Sequence, residues 1–413
     1  MEVAKTILVT GTFDTKDPEL NFISECIGRL GGKVITMDVS VLGDPSTPTD
    51  ISKHAVAAAA GKTIRDAIEA GDENHAMQIM ADGASRLTAD LHAQGRIDGL
   101  IALGGSMGTD LALDCSRALP LGVPKYVVST IAFSPMIPPE RLAPDIQMIL
   151  WAGGLYGLNP VCRAALSQAA GAVLGAARAA EKPSGSKPLI GMTSFGKTVL
   201  RYMTHLKPAL EERGFEVAIF HATGMGGRAF EALAAEGAFA AVMDFAPQEV
   251  GNHLFGSAIT AGADRMSNAG RAGIPQLVSI GCHDLVDLVG WQDVPERFKA
   301  RPAHAHNRLL TSVVLDGAER EMVAQAICGK LGEAKGPVTL VLPLKGGNEW
   351  DRDGAPLADP QGLARFVAAI RAHCPGNVNL VELDAHINDV AFSDKALEIL
   401  DRWTADGTIT MAR

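Results

Sequence analysis

The sequence predicts an α/β protein of two Rossmann-like domains, each a mainly parallel sheet flanked by helices. Three observations predict it. Short β-branched, wholly apolar runs alternate with helical stretches, the pattern of parallel strands buried on both faces. The 413 residues exceed one ordinary domain. A polar stretch, Glu181-Lys182-Pro183-Ser184-Gly185-Ser186-Lys187-Pro188, interrupts the chain, and the strand–helix pattern restarts after it. The expected domains are therefore 1–182, binding a nucleotide, and 188–413.

Each element has its own signal. Thr6-Ile7-Leu8-Val9-Thr10 reads as a buried strand, and Gly11-Thr12-Phe13-Asp14-Thr15-Lys16 as the loop after it. Asp17-Pro18-Glu19 opens a helix, with proline where its missing N–H does no harm. That helix stops at Gly31-Gly32, and Val34 to Asp38 forms the second strand. A helix-rich stretch from about Ile51 to Gln94 leads to a third strand, Gly99 to Leu103, and then to Gly104-Gly105-Ser106-Met107-Gly108-Thr109. Val123 to Ser129 is the next strand.

The second half repeats parts of the first in order. Lys5-Thr6-Ile7-Leu8 and Thr12-Phe13 have counterparts in Lys187-Pro188-Leu189-Ile190 and Ser194-Phe195, an offset of 187 − 5 = 182 that places Gly32 at Gly214. Gly122-Val123-Pro124 is echoed by Gly273-Ile274-Pro275. A duplication explains this order, and chance likeness between two Rossmann-like sheets is the alternative.

Composition narrows the function. A hydrophobic fraction of 47% with 20% charged residues belongs to a globular protein. A net charge of −10 opposes non-specific nucleic-acid binding. No apolar run approaches the ~20 residues of a membrane span, and Met1 to Lys5 has no apolar leader. Six scattered cysteines without a C-x-x-C pair read as reduced thiols, so a cytoplasmic location is expected.

Two loops carry the chemistry of the first half. Parallel sheets bind ligands beyond the carboxyl ends of their strands, where helix N-termini present free N–H groups. Gly11, Thr12, Phe13, Asp14, Thr15 and Lys16 form one such loop: hydroxyls and Lys16 suit phosphate, and Asp14 suits magnesium or a ribose hydroxyl. Gly104, Gly105, Ser106, Gly108 and Thr109 form the other, with glycines that admit a phosphate to the backbone. The competing explanation is two tight turns that need positive φ. Asp38, at the second strand's end, suits a ribose hydroxyl.

In the second half, Gly191 to Thr198 matches G-x-x-x-x-G-K-[ST], with Asp244 available to hold magnesium. Bulky Met192 and Phe195 oppose a working phosphate loop, so the match is read as the counterpart of Gly11 to Lys16. Polar residues gather at later strand ends: His283 and Asp284, then His304 and His306, then His386. Imidazole with carboxylate serves acid–base work or metal binding, although no H-E-x-x-H spacing occurs.

These segments together resemble the ATP-binding domain family of the tomato mosaic virus resistance protein. The resembling residues are TGTFDTK (Thr10 to Lys16), ALGGSMGT (Ala102 to Thr109), GVPKYVVST (Gly122 to Thr130), GLN followed by Arg (Gly157 to Asn159, Arg163), AITAGADRM (Ala258 to Met266), GIPQLVS (Gly273 to Ser279), PLKG (Pro343 to Gly346) and HIND (His386 to Asp389). The resemblance implies two Rossmann-like domains, an ATP site on the first domain's glycine-rich loops that includes Thr130, and a homodimer. Departures fall at His283 to Asp287 and Gly347 to Asp351.

The leading expectation is thus a nucleotide-binding protein, with ATP and its magnesium on the first domain. The alternative is an enzyme acting on a small carbohydrate acid or lactone in the interdomain cleft through His283, Asp284, His304, His306 and His386. A regulatory module whose nucleotide sets its conformation is a third reading.

Overall fold

The computed structural model describes residues 4–181, 187–196 and 200–410. The chain divides into two compact units, Met1–Pro183 and Ser184–Arg413. Among the described residues no helix is long and apolar enough to cross a membrane.

The first unit runs β1 (Thr6–Gly11), α1 (Phe13–Arg29), β2 (Lys33–Asp38), α2 (Lys53–Ala59), α3 (Ile64–Ile68), α4 (Glu73–Ala93), β3 (Gly99–Gly104), α5 (Ser106–Arg117), β4 (Lys125–Ser129), β5 (Gln147–Leu150) and α6 (Pro160–Ala179). Its five strands are parallel, in the order β2-β1-β3-β4-β5. Alternate side chains of each strand serve opposite faces. Ile7 and Val9 join Ile23, Leu166 and Val173 under α1 and α6, whereas Leu8 joins Met80, Leu91 and Leu111 under α4 and α5.

Local capping explains the boundaries. The helix-rich stretch divides into α2, α3 and α4 because Ser52, Thr63 and Asp72 each accept a backbone N–H at a helix start. The chain breaks helical geometry at Lys16 (φ −124°, ψ 19°), so Phe13–Lys16 is one turn and the helix proper opens at Asp17-Pro18.

The second unit runs β6 (Leu189–Ser194), α7 (Leu200–Glu212), β7 (Glu216–His221), α8 (Met225–Ala235), β8 (Ala241–Asp244), α9 (Gln248–Leu254), α10 (Asn268–Arg271) and β9 (Gln276–Val278). It continues with β10 (Leu285–Val289), β11 (Ala303–Ala305), β12 (Leu310–Val314), α11 (Gly317–Gly332), β13 (Val338–Pro343), α12 (Pro360–His373), β14 (Val378–Leu383) and α13 (Val390–Ala405). Six strands form a parallel sheet in the order β14-β13-β9-β8-β6-β7. A separate antiparallel sheet, β10-β12-β11, has no signal in the sequence reading.

Five strands of the second sheet, β7-β6-β8-β9-β13, repeat the order of the first sheet. Thr6 pairs with Lys33 and Leu189 with Glu216, and both pairs are 27 residues apart (33 − 6 and 216 − 189). The preceding helices also end alike. Gly31 (φ 80°) and Gly214 (φ 87°) each follow a helix, and the next residue's N–H returns five residues to Ile27 or Leu210. The structural offset is therefore 183, with Gly31 rather than Gly32 matching Gly214.

Candidate functional site

The first unit's sheet reverses direction of growth at β1, which pairs with β2 on one side and β3 on the other. Such a switch point opens a crevice beyond the carboxyl ends of the two strands. The two glycine-containing loops lie there, but they do different things.

The loop after β1 is closed by its own partners. Phe13 N–H donates to Asp38 Oδ1 (3.2 Å) and Asp14 N–H to Ser40 Oγ (3.0 Å). The N–H groups of Thr15 and Lys16 return to the Thr12 carbonyl. Asp38 is 1% exposed, and its Oδ1 also takes the Ser40 N–H (2.9 Å) and hydroxyl (2.5 Å). Its geometry is that of a staple between the ends of β1 and β2, instead of a side chain presented to a ribose. Phe13 is core. Lys16 Nζ donates to the Leu155 carbonyl (2.7 Å) and lies 4.9 Å from the Tyr156 ring centre. Gly11 is packed, since a Cβ there would lie 2.9 Å from Leu20.

The loop after β3 stays open. Gly105 is the N-cap of α5 and makes no side-chain cap, so the first N–H groups of the helix face outward without one. None of Gly11, Gly104, Gly105 and Gly108 has positive φ, which removes the tight-turn explanation. Gly104 is needed because a Cβ would lie 2.6 Å from Gly108 Cα, where α5 leaves the strand. Gly105 differs. Its φ is −75°, and the nearest atom to an added Cβ is Thr130 Oγ1 at 3.8 Å. Thr109 is buried and hydrogen-bonds Ser129 Oγ (2.7 Å), while Ser106 is exposed. An open groove of about 520 Å³ adjoins both loops, lined by Thr12, Asp14, Thr15, Leu42, Ile68 and Met107, with Glu69, Asp72 and Glu73 at its rim.

In the second unit, the loops after β9, β13 and β14 meet. Asp284 is 1% exposed, and Oδ1 accepts from Asn348 Nδ2 (2.8 Å). Asp351 accepts the N–H groups of Gly347 (2.7 Å) and Asn348 (3.2 Å) and lies 3.0 Å from His386 Nε2. His386 Nδ1 accepts the Asn388 N–H (3.0 Å), so its proton sits on Nε2, between Asp351 and the Asn348 carbonyl (2.8 Å). Burial, with the nearby Asp351 charge, pushes Asp284 up to about 7. His283 is buried against Phe366, hydrogen-bonds the Ile280 carbonyl (3.0 Å), and is pushed by burial down to about 3. Cys282, between these loops, holds a φ of 55°. The arrangement can hold a proton near neutrality inside a buried cluster.

His304 and His306 are brought to a different place. His304 lies on β11 and meets Trp350 with ring centres 4.0 Å apart and planes tilted by 32°, and His306 follows it. The sequence reading therefore named one set of histidines where the structure makes two groups. It did not single out Trp350, Asp351, His221 or Ser312. The signal for the first two was the unusual Gly347 to Asp351 segment itself.

The phosphate-loop match ends on Lys197 and Thr198, which lie outside the described residues. Within them, Gly196 N–H donates to His221 Nε2 (3.1 Å). Asp244, expected to be available for magnesium, is taken by Arg265: NH1 and NH2 reach its two oxygens at 2.5 and 2.7 Å. Arg265 is wholly buried and also meets Glu249 (2.7 Å) and Glu231 (3.4 Å), so one guanidinium faces three carboxylates. Burial pushes Glu231 up to about 7 and raises Glu249. Among the described residues no group of three or more His, Cys, Asp or Glu side chains is placed to hold a metal.

Family models match both units: the uncharacterised protein family (UPF0261) N-terminal domain over residues 5–182 and its C-terminal domain over 187–404. A UPF0261 protein of Brucella melitensis is 55% identical over 98% of this chain and 96% of its own. The ToMV susceptible protein tm-1(GCR26) of Solanum lycopersicum is 27% identical over 95% of this chain and 55% of its own. A crystal structure of UDP-N-acetylglucosamine 2-epimerase, at 11% identity over 72% of this chain and 82% of that one, gives a TM-score of 0.19 and carries no argument.

Proposed function

Because the chain belongs to the UPF0261 family, whose members span both of its units, we propose that its first unit binds a nucleotide, ATP with magnesium, at the N-terminus of α5. The observation that carries this reading is Gly105. It is a glycine with ordinary φ, no steric neighbour within 3.8 Å and no cap to offer the helix behind it. Nothing inside the fold requires glycine there, whereas a phosphate against the α5 N–H groups does require an absent side chain.

Three further features agree with it. The position is the switch-point end of β3, beside the Thr130 hydroxyl. The adjoining groove of about 520 Å³ suits a nucleoside in size. Its mixed lining puts Met107, Leu42 and Ile68 where a base would lie. The acidic rim of Glu69, Asp72 and Glu73 opposes a naked polyphosphate, which favours the magnesium complex, with Asp14 as the proposed acid beside the ion.

The test is calorimetric titration of magnesium-ATP into the full chain and its Gly105→Val variant. The variant is expected to lose at least ~100-fold in affinity, about 2.7 kcal/mol, while its thermal midpoint stays within a few degrees of the parent's. Unchanged affinity in Gly105→Val, or no binding of ATP, ADP, AMP or GTP by the parent, refutes the reading.

A further inference from the structure

The small antiparallel sheet of the second unit contains a directed chain of hydrogen bonds. Asp287 on β10 and Ser312 on β12 are paired in register, and Ser312 Oγ donates to Asp287 Oδ1 (2.5 Å). Asp287 is wholly buried, and its Oδ2 accepts from Asn252 Nδ2 (3.0 Å). With its one proton committed to Asp287, the Ser312 hydroxyl can only accept from His306, whose Nε2 lies 3.0 Å away. The imidazole proton is thereby fixed on Nε2, and Nδ1 is left as a lone-pair acceptor. Among the described residues no donor reaches Nδ1.

The ring that carries this acceptor is held on three sides. His306 meets Trp350, His304 and Phe195 edge-on, with ring centres 4.8, 5.0 and 5.5 Å away. Phe195 is core, whereas His304, His306 and Trp350 are half-buried and form a wall of rings. Burial, with His304 and His221 nearby, pushes His306 down to about 4, so this imidazole is uncharged at neutral pH. The third imidazole of the neighbourhood, His221, already accepts the Gly196 N–H at Nε2. Two arginines of neighbouring segments are engaged, Arg201 with Glu349 and Arg352 with Asp389.

We propose that this wall is a second ligand site, independent of the nucleotide groove. It takes a neutral polyhydroxylated ring, a sugar or sugar lactone, with one hydroxyl donating to His306 Nδ1 and its C–H face against His304 and Trp350. Each part of the class follows from the chemistry. A neutral acceptor selects a hydroxyl donor over an ionised carboxylate or phosphate, which would bring it only lone pairs. The half-buried rings of His304 and Trp350 offer apolar surface to the C–H edges of a pyranose or furanose. A buried carboxylate two bonds behind the imidazole fixes its tautomer, as the outer partners of functional histidines do. Ser312 is then a positioning residue, acting through His306.

The experiment uses the full chain with ¹⁵N-labelled histidine. D-Glucose, D-galactose and D-galactono-1,4-lactone are the probes, and D-gluconate and adenosine are the anionic and planar controls. At least one neutral probe is expected to shift the His306 Nδ1 resonance and to change tryptophan emission. Trp350→Ala and His306→Phe should each weaken that binding at least ~10-fold. Ser312→Ala should move the His306 ring ¹⁵N shifts without ligand, a change that loss of packing alone does not produce. Gly105→Val should leave this binding intact, which separates failure here from failure of the nucleotide reading. The proposal is overturned if no neutral probe perturbs His306 up to ~50 mM, if gluconate or adenosine binds more tightly, or if Trp350→Ala leaves affinity unchanged.

Discussion

Replacing Asp284 by Asn is expected to stabilise the second unit, and to do so increasingly as pH rises from about 4 to about 7. Asp284 has an ordinary value of 3.8 and is pushed up to about 7 by burial and by Asp351. A carboxyl raised in the folded state keeps its proton where the unfolded chain has released it. Wild-type stability therefore falls as pH rises from about 4 to about 7, and the loss is complete above that. The difference of about 3 pH units corresponds to about 4 kcal/mol at most. The amide keeps the oxygen that accepts from Asn348 Nδ2, so little is lost in exchange. Stabilisation by Asp284→Asn should be about 2–3 kcal/mol larger near pH 8 than near pH 5. Glu231, raised in the same direction, is present in both proteins and cancels. Urea unfolding followed by tryptophan emission measures this, because Trp291, Trp350 and Trp403 all lie in the second unit. An equal gain at both pH values, or a loss near pH 8, would refute the electrostatic argument.

Two other substitutions probe packing. Arg265→Met leaves Asp244, Glu249 and Glu231 buried without their shared cation, and should destabilise the second unit by about 3–5 kcal/mol near neutral pH; denaturation that matches the parent would show that the carboxylates find other partners. In Gly83→Ala the new Cβ collides with the Val56 carbonyl oxygen, where α4 crosses α2. A loss of about 1–3 kcal/mol in the first unit is expected, read from its thermal midpoint, and an unshifted midpoint would contradict the close crossing.

The sequence made the strands legible because they are continuous apolar runs, and it placed the start of α1 at Asp17-Pro18, where helical geometry resumes after Lys16. The unequal roles of the two glycine-containing loops were not legible. The difference lies in Asp38 and Ser40, about two dozen residues from the N–H groups that they occupy, and no local pattern shows that. The antiparallel sheet escaped for a related reason: β11 is three residues long and its register depends on β12. Histidines at strand ends were visible as a set. Their separation into a buried cluster around Asp351 and a ring wall around Trp350 depends on one loop, Gly346 to Asp351. There Trp350 meets the wall while Asn348 and Asp351 meet the cluster.

The repeated strand order gives the Arg265 cluster a further meaning. In the second sheet the counterparts of β1 and β3 are β6 and β8, and their carboxyl ends are joined by Thr193 and Asp244, 2.7 Å apart, with the Arg265 guanidinium seated on Asp244. The position that stays open in the first unit is filled in the second by the chain's own side chain. The second sheet thus carries a resident occupant that cannot dissociate. The crevice of the second sheet is thereby a fixed joint, in which one side chain ties β8, α8 and α9 together.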